Sequence, residues 1–382
     1  MAQIVDADSH LIEMPELYRD NADPADRWLA LRFSGDELGY DCLFFKGKPI
    51  MECHLTIPGD RSTQGGWTER RRLGLPADHS IFEEMPEHYY LPSARRDFLA
   101  EWGADQAILF PNSALIWERA LRGELEALQV NMAAWNRWAV TVQQEGAGKL
   151  HPVGMVVLED LAWVEAQLRA LAAGGVRAVK APLGLAAGKR LSHPDLDRVW
   201  SLFEELDLAL VFHVGASYNR PLEDAWTEDD HAADRAPLLG FAIMASDVQL
   251  VLADLVLHGV LERHPRLRIG VMELMVDWLA MFLARLDTAP RAHESFTGRG
   301  LYQLAERPSD YVRRQVRVGA FAAEKPADRI AEIGPILMFS GDFPHSEGEP
   351  SLAAYRAKAG AIPAEHADGF WGANAQFLLG QR

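Results

Sequence analysis

The residues best suited to chemistry stand almost at the start of the chain, in the stretch VDADSH at residues 5–10. Asp6, Asp8 and His10 alternate there with small residues, and Leu11 and Ile12 follow. Side chains on a strand alternate between faces, so a strand here puts all three polar groups on one side. A carboxylate is almost never buried unless it is paired or bound to a metal. Taken alone, the stretch fits a strand end with a helix cap and a satisfied histidine as well as it fits half of a metal site. Other ionisable residues end apolar runs farther along. LALVFHVG ends in His213, and ILMFSGDFPHSEG holds Asp342 with His345 three residues on. GVRAVKAP carries Lys180, and LRIGVMEL carries Glu273. Two imidazoles and two carboxylates, His10, His213, Asp8 and Asp342, make a mixed nitrogen and oxygen donor set for one divalent ion. Zinc is the first expectation, with manganese or iron as alternatives. So few protein ligands leave a position open for water.

Positioning those side chains requires strands. Apolar runs at residues 3–7, 106–110, 151–157, 176–180, 208–213, 267–272, 315–319 and 336–340 read as eight of them. Helical spacing marks 117–144, 161–173, 192–206, 247–264 and 276–287. Strands alternating with helices imply a parallel sheet, and eight such units imply an α/β fold of the (β/α)8 TIM barrel type. An open Rossmann-like sheet is the alternative, weakened because no GxGxxG follows a strand. Active sites of such barrels lie at the C-terminal ends of the strands, where the ionisable residues fall. The chain is expected to form one barrel domain over 1–382. A long insertion after the first strand, at 15–97, is rich in Gly, Pro, Trp and charge. Within it GDELGYDCLFFKGKPI reads as a hairpin and PGDRSTQGGWTERRRLG as a loop. The insertion fits a lid over the barrel mouth, a dimer contact or a plain surface elaboration.

Composition sets outer bounds. The 382 residues carry a net charge of −17, which argues against nucleic acid and anionic membranes as partners. Only two cysteines are present, Cys42 and Cys53, with no CxxC spacing. That suggests no disulfide framework. No apolar run approaches a membrane span, and the first strand begins too early to leave room for a signal peptide. The expectation is a cytoplasmic protein acting on a small molecule, assembled as a homodimer or higher homo-oligomer. The aromatics between Trp67 and Tyr90 suit a ring-bearing substrate and an oligomer interface equally.

The chain resembles the amidohydrolase-related metal-dependent barrels, the group that includes the aminocarboxymuconate semialdehyde decarboxylase type. The likeness rests on VDADSH, RLSHPDLDRVWSLFEELDLALVFHVG, LERHPRLRIGVMELMVDWLAMFLARLD, FSGDFPHSEG and FWGANAQFLLG, in that order along nearly the whole chain. It implies that Asp8, His10, His213 and Asp342 are the ligands, and that Asp342 shuttles the proton of a metal-activated water. Decarboxylases of the group carry a catalytic histidine at the end of the sixth strand, where this chain has Glu273. That departure leads to an expectation of hydrolysis, cleaving a C–N, C–O or C–C bond next to a carbonyl, over decarboxylation of an aromatic or unsaturated acid. For hydrolysis Asp342 takes the proton of the water and Asp342 or Glu273 returns it to the leaving group; for decarboxylation Glu273 or His345 is the proton donor. Lys180 polarises or anchors a substrate oxygen, pairs with Glu273, or reaches solvent. His345 and Glu13 are candidates for binding substrate or orienting the ligands. A barrel that keeps its shape without chemistry is the third reading.

Overall fold

The computed structural model describes residues 3–52, 73–77, 80–83, 85–215, 242–298, 304–345 and 347–381. All eight expected strands form, each within a few residues of its predicted place. They are β1 (Val5–Leu11), β5 (Gln106–Pro111), β6 (Leu150–Met155), β7 (Ala178–Lys180), β8 (Ala209–His213), β9 (Arg268–Met272), β10 (Val316–Ala320) and β11 (Leu337–Phe339). They are parallel neighbours in chain order, β1-β5-β6-β7-β8-β9-β10-β11. The ring closes just past β11, where Asp342 N donates to Asp8 O and His10 N donates to Phe343 O, both at 2.7 Å. The architecture is a (β/α)8 barrel.

The interior is packed rather than hollow. Val5, Ala7, Ile108, Phe110, Val153, Ala178, Val211, Met272 and Met338 meet inside it. The C-terminal helix Asn374–Leu378 packs at the end where the strands begin, adding Ala375 and Leu378 to this cluster. A Gln376 amide there donates to Gln3. The outer strand faces and the helices form a second, larger core.

Two expected helices are each broken in two. The 117–144 segment divides into Ala114–Ala120 and Leu125–Glu145, with Gly123 at φ 96° in the break. The 247–264 segment divides into Ser246–Leu257 and Val260–Arg263, with Gly259 at φ 70° between them. Both glycines sit in the left-handed region that side chains disfavour, so helical spacing continues across a turn that the backbone does not.

Within the insertion, β2 (Arg32–Gly35), β3 (Asp41–Phe45) and β4 (Lys48–Glu52) form an antiparallel sheet. The expected hairpin is its β3–β4 half. Phe33, Leu43 and Phe45 bury against Trp117, Leu121 and Met132, and Val157 joins the same cluster. The sheet therefore flanks the barrel beside the ends of β5 and β6. The expected loop at 58–74 lies outside the described residues except for its last two. No helix among the described residues is long and apolar enough to cross a membrane.

Candidate metal centre

β1 does not deliver its polar residues as simple alternation predicts. Val5 and Ala7 point into the barrel, and the register with β5 shifts between Asp6 and Ser9. This bulge resets the parity, so that Asp8 and His10 turn inward after Ala7. Asp6 does not share their face. Its Oδ1 accepts from Gly341 N at 2.7 Å and Asp8 N at 3.2 Å, tying β1 to the segment after β11. A Cβ on Gly341 would come within 2.5 Å of Asp6 Oδ2, so only glycine fits that approach. Arg95, fully buried, braces the outer side of the strand by donating to Ser9 Oγ at 2.9 Å and His10 O at 2.7 Å. Burial lowers its pKa to about 9.

Asp8, His10, His213 and Asp342 converge at the C-terminal mouth. His10 Nε2 lies 3.4 Å from Asp8 Oδ1 and 3.1 Å from Asp342 Oδ1. His213 Nε2 lies 3.4 Å from Asp8 Oδ1 and 3.3 Å from Glu273 Oε2. Each imidazole is oriented by its other nitrogen, His10 Nδ1 on Pro111 O at 3.0 Å and His213 Nδ1 on Val214 O at 3.1 Å. That arrangement turns both Nε2 atoms to the centre, as ligating histidines require. Each carboxylate likewise has one oxygen held and one left over. Asp8 Oδ2 accepts from Ser340 Oγ at 3.4 Å, and Asp342 Oδ1 meets His345 Nδ1 at 2.8 Å. Asp8 Oδ1, His10 Nε2, His213 Nε2 and Asp342 Oδ2 are all buried without a hydrogen-bond partner. Four orphaned polar atoms in one place are costly unless something binds them. Their chemistry, two imidazole nitrogens and two carboxylate oxygens, fits a divalent cation.

Glu273 and His345 complete the ring. Ligand atoms of Asp8, His10, His213 and Glu273 lie within 4.8 Å of one another, as do those of His10, Glu273, Asp342 and His345. Glu273 (φ 51°) and Asp342 (φ 53°) both leave their strands through left-handed backbone, a strain that is retained where it aims a side chain. The electrostatics separate the three acids. Burial, reinforced by Asp342 and Asp8, pushes the Glu273 carboxyl well above its ordinary range. Burial works the same way on Asp8 and Asp342, but histidines outweigh it. His213 and His10 hold Asp8 low, and His345 and His10 hold Asp342 low.

Of the alternatives for Lys180, neither pairing with Glu273 nor reaching solvent occurs. Lys180 Nζ donates to Glu118 Oε2 at 2.5 Å, and both side chains are buried. Glu118 comes from the helix Ala114–Ala120, 62 positions away, which no spacing rule links to Lys180. Glu13, expected to touch substrate or the ligands, has both oxygens engaged elsewhere. Oε2 accepts from Asn112 N at 3.2 Å and Ser113 N at 2.9 Å, and Oε1 from Ala114 N at 2.9 Å and Tyr18 Oη at 3.0 Å. It caps the turn after β5. Glu13→Gln would aim an amide N–H at a set of donors in a buried place. We expect a stability loss of about 2–4 kcal/mol by chemical denaturation, with the metal content of the folded protein unchanged.

Asn112 is the residue that inspection of ionisable strand ends passes over. It sits where β5 ends, and its Oδ1 accepts from His345 Nε2 at 2.6 Å. The available signal was its position directly after a predicted strand.

A family model described as amidohydrolase matches residues 51–381. No curated protein matches the chain in sequence. Among solved structures, an amidohydrolase of Mycobacterium avium subsp. paratuberculosis superposes with a TM-score of 0.77 at 19% identity, covering 99% of each chain. A 5-carboxyvanillate decarboxylase of Novosphingobium aromaticivorans, complexed with manganese and 4-hydroxy-3-methoxy-5-nitrobenzoic acid, gives 0.63 at 16% identity, over 99% of this chain and 96% of that one. A 2,6-dihydroxybenzoate decarboxylase from Rhizobium gives 0.61 at 17%, over 100% and 99%. At these identities the likeness establishes the fold.

Proposed function

The chain belongs to the amidohydrolase family, and on that premise we propose that it is a metal-dependent carboxy-lyase acting on an aromatic or unsaturated carboxylic acid. The observation that carries the reading is the place of Glu273. Hydrolysis was the sequence expectation because Glu273 stands where decarboxylases of the group carry a histidine, and a buried carboxyl near a cation makes a poor acid for protonating carbon. Lys180 is spent on Glu118, so among the described residues Glu273 faces the centre with imidazoles and carboxylates around it and no lysine. Its side chain is 14% exposed, enough to be recharged from solvent. The structural neighbours that decarboxylate hydroxylated benzoates support the same direction.

Asp8, His10, His213 and Asp342 would hold one divalent ion, manganese or zinc, and manganese is the ion in a structural neighbour. That ion supplies the positive charge that draws a substrate carboxylate and its neighbouring oxygen into the site. Glu273 gives its proton to the carbon bearing the carboxylate. The C–C bond to the carboxylate then breaks, its electron pair stays with the ring or chain, and carbon dioxide leaves. Glu273 regains a proton from solvent. Asp342 and His345 stay hydrogen-bonded to each other beside it, which keeps the Asp342 carboxylate oriented. The described sheet of the insertion, packed beside the ends of β5 and β6, would border the pocket on that side.

Hydrolysis is the second reading, and the 2.8 Å contact between Asp342 and His345 favours it, because that pair suits withdrawing a proton from water. The experiment is a screen of manganese- and zinc-loaded protein against 2-hydroxybenzoates, lactones and amides. Carbon dioxide release from a hydroxybenzoate supports the proposal. Turnover of lactones or amides alone would replace it with the hydrolase.

A further inference from the structure

We propose that Asn112 binds substrate, donating from its Nδ2 amide to an anionic oxygen, a carboxylate or phenolate, of the acid held in this site. The inference rests on the carboxy-lyase reading and adds the residue that orients its substrate. The side-chain amide cannot rotate freely. Oδ1 is taken by His345 Nε2 at 2.6 Å, and His345 is itself held by Asp342 at 2.8 Å. The backbone is fixed as firmly, because Asn112 N and the next two N–H groups all donate to Glu13. Glu13 is anchored in turn by Tyr18 Oη, which accepts from Trp117 Nε1 at 2.8 Å.

With Oδ1 committed, Nδ2 must face away from His345. It has no hydrogen-bond partner among the described residues, although Asn112 is only 8% exposed. Nor is it among the side-chain atoms walled in without a partner, so it keeps some accessible surface. Asn112 itself adjoins the metal centre. The residue before Asn112 accepts from His10 Nδ1, and the His345 ring lies 4.1 Å from the His10 ring. A rigid, nearly buried amide with two unused donors is suited to an acceptor carrying negative charge. Glu13 is by the same geometry a positioning residue, acting through Asn112.

Two variants separate binding from bracing. Asn112→Asp keeps an acceptor for His345 but replaces the donors with a carboxylate oxygen. Asn112→Ala removes both. The probe is 2-hydroxybenzoate titrated by calorimetry into the metal-loaded protein, with metal content checked for each variant. If Asn112 donates to the substrate anion, the dissociation constant rises at least about tenfold in Asn112→Ala and further in Asn112→Asp. If Asn112 only braces His345, Asn112→Asp binds like the wild type, and that result overturns the inference while leaving the carboxy-lyase reading intact. Failure of the wild type to bind 2-hydroxybenzoate would remove the reading and the inference together.

Discussion

His213→Ala protein, purified without added metal, is expected to contain less than about a tenth of an equivalent of divalent ion and to lose turnover by about a thousandfold or more. His213 supplies one of four buried atoms without partners, and its Nδ1 contact with Val214 O leaves Nε2 no other task. Removing it also takes away the neighbour that most strongly favours the charged form of Asp8. Refilling the site would then need more metal, because a three-ligand set with unchanged desolvation binds more weakly. Elemental analysis by mass spectrometry measures the first effect, and titration of the variant with manganese measures the second. Full metal occupancy in His213→Ala would mean that the ion lies elsewhere, for instance among His10, Glu273, Asp342 and His345.

Glu273→Gln is expected to lower the rate of decarboxylation by about a hundredfold to ten-thousandfold while leaving the metal in place. The carboxamide has nearly the same shape but no proton to give to carbon. Glu273→His should recover activity, since an imidazole at this position can also carry the proton. The recovered activity should show a different pH profile, set by imidazole instead of a buried carboxyl. Loss of metal in Glu273→Gln would make Glu273 a ligand, which its 3.3 Å approach to His213 Nε2 permits. Unchanged turnover with full metal would remove it from the chemistry.

What was legible in the sequence follows from what was local. Buried parallel strands read as continuous apolar runs, so all eight could be placed. An ionisable residue closing such a run is conspicuous, which made Asp8, His10, His213, Glu273 and Asp342 visible before any coordinates. Non-local features were not legible. The bulge that turns Asp6 away from Asp8 and His10 depends on pairing with β5, about a hundred residues on. The partner of Lys180 could be known only once the helix Ala114–Ala120 was placed over the mouth. Glu13 looked like an orienting group for its neighbours in sequence, yet its oxygens serve a turn about a hundred residues away. Asn112 carries no charge, so a search for titratable strand ends passes it by.

The measurement that bears most directly on the carboxy-lyase reading is product analysis after turnover of 2,6-dihydroxybenzoate by metal-loaded protein, run in parallel in ²H₂O and in ¹⁸O-labelled water. Proton delivery from Glu273 to carbon places one deuterium on the ring carbon that carried the carboxylate, and releases carbon dioxide with no ¹⁸O in the organic product. The result that would contradict it is a wild-type enzyme that leaves this acid intact while converting a lactone or amide to a carboxylate bearing ¹⁸O.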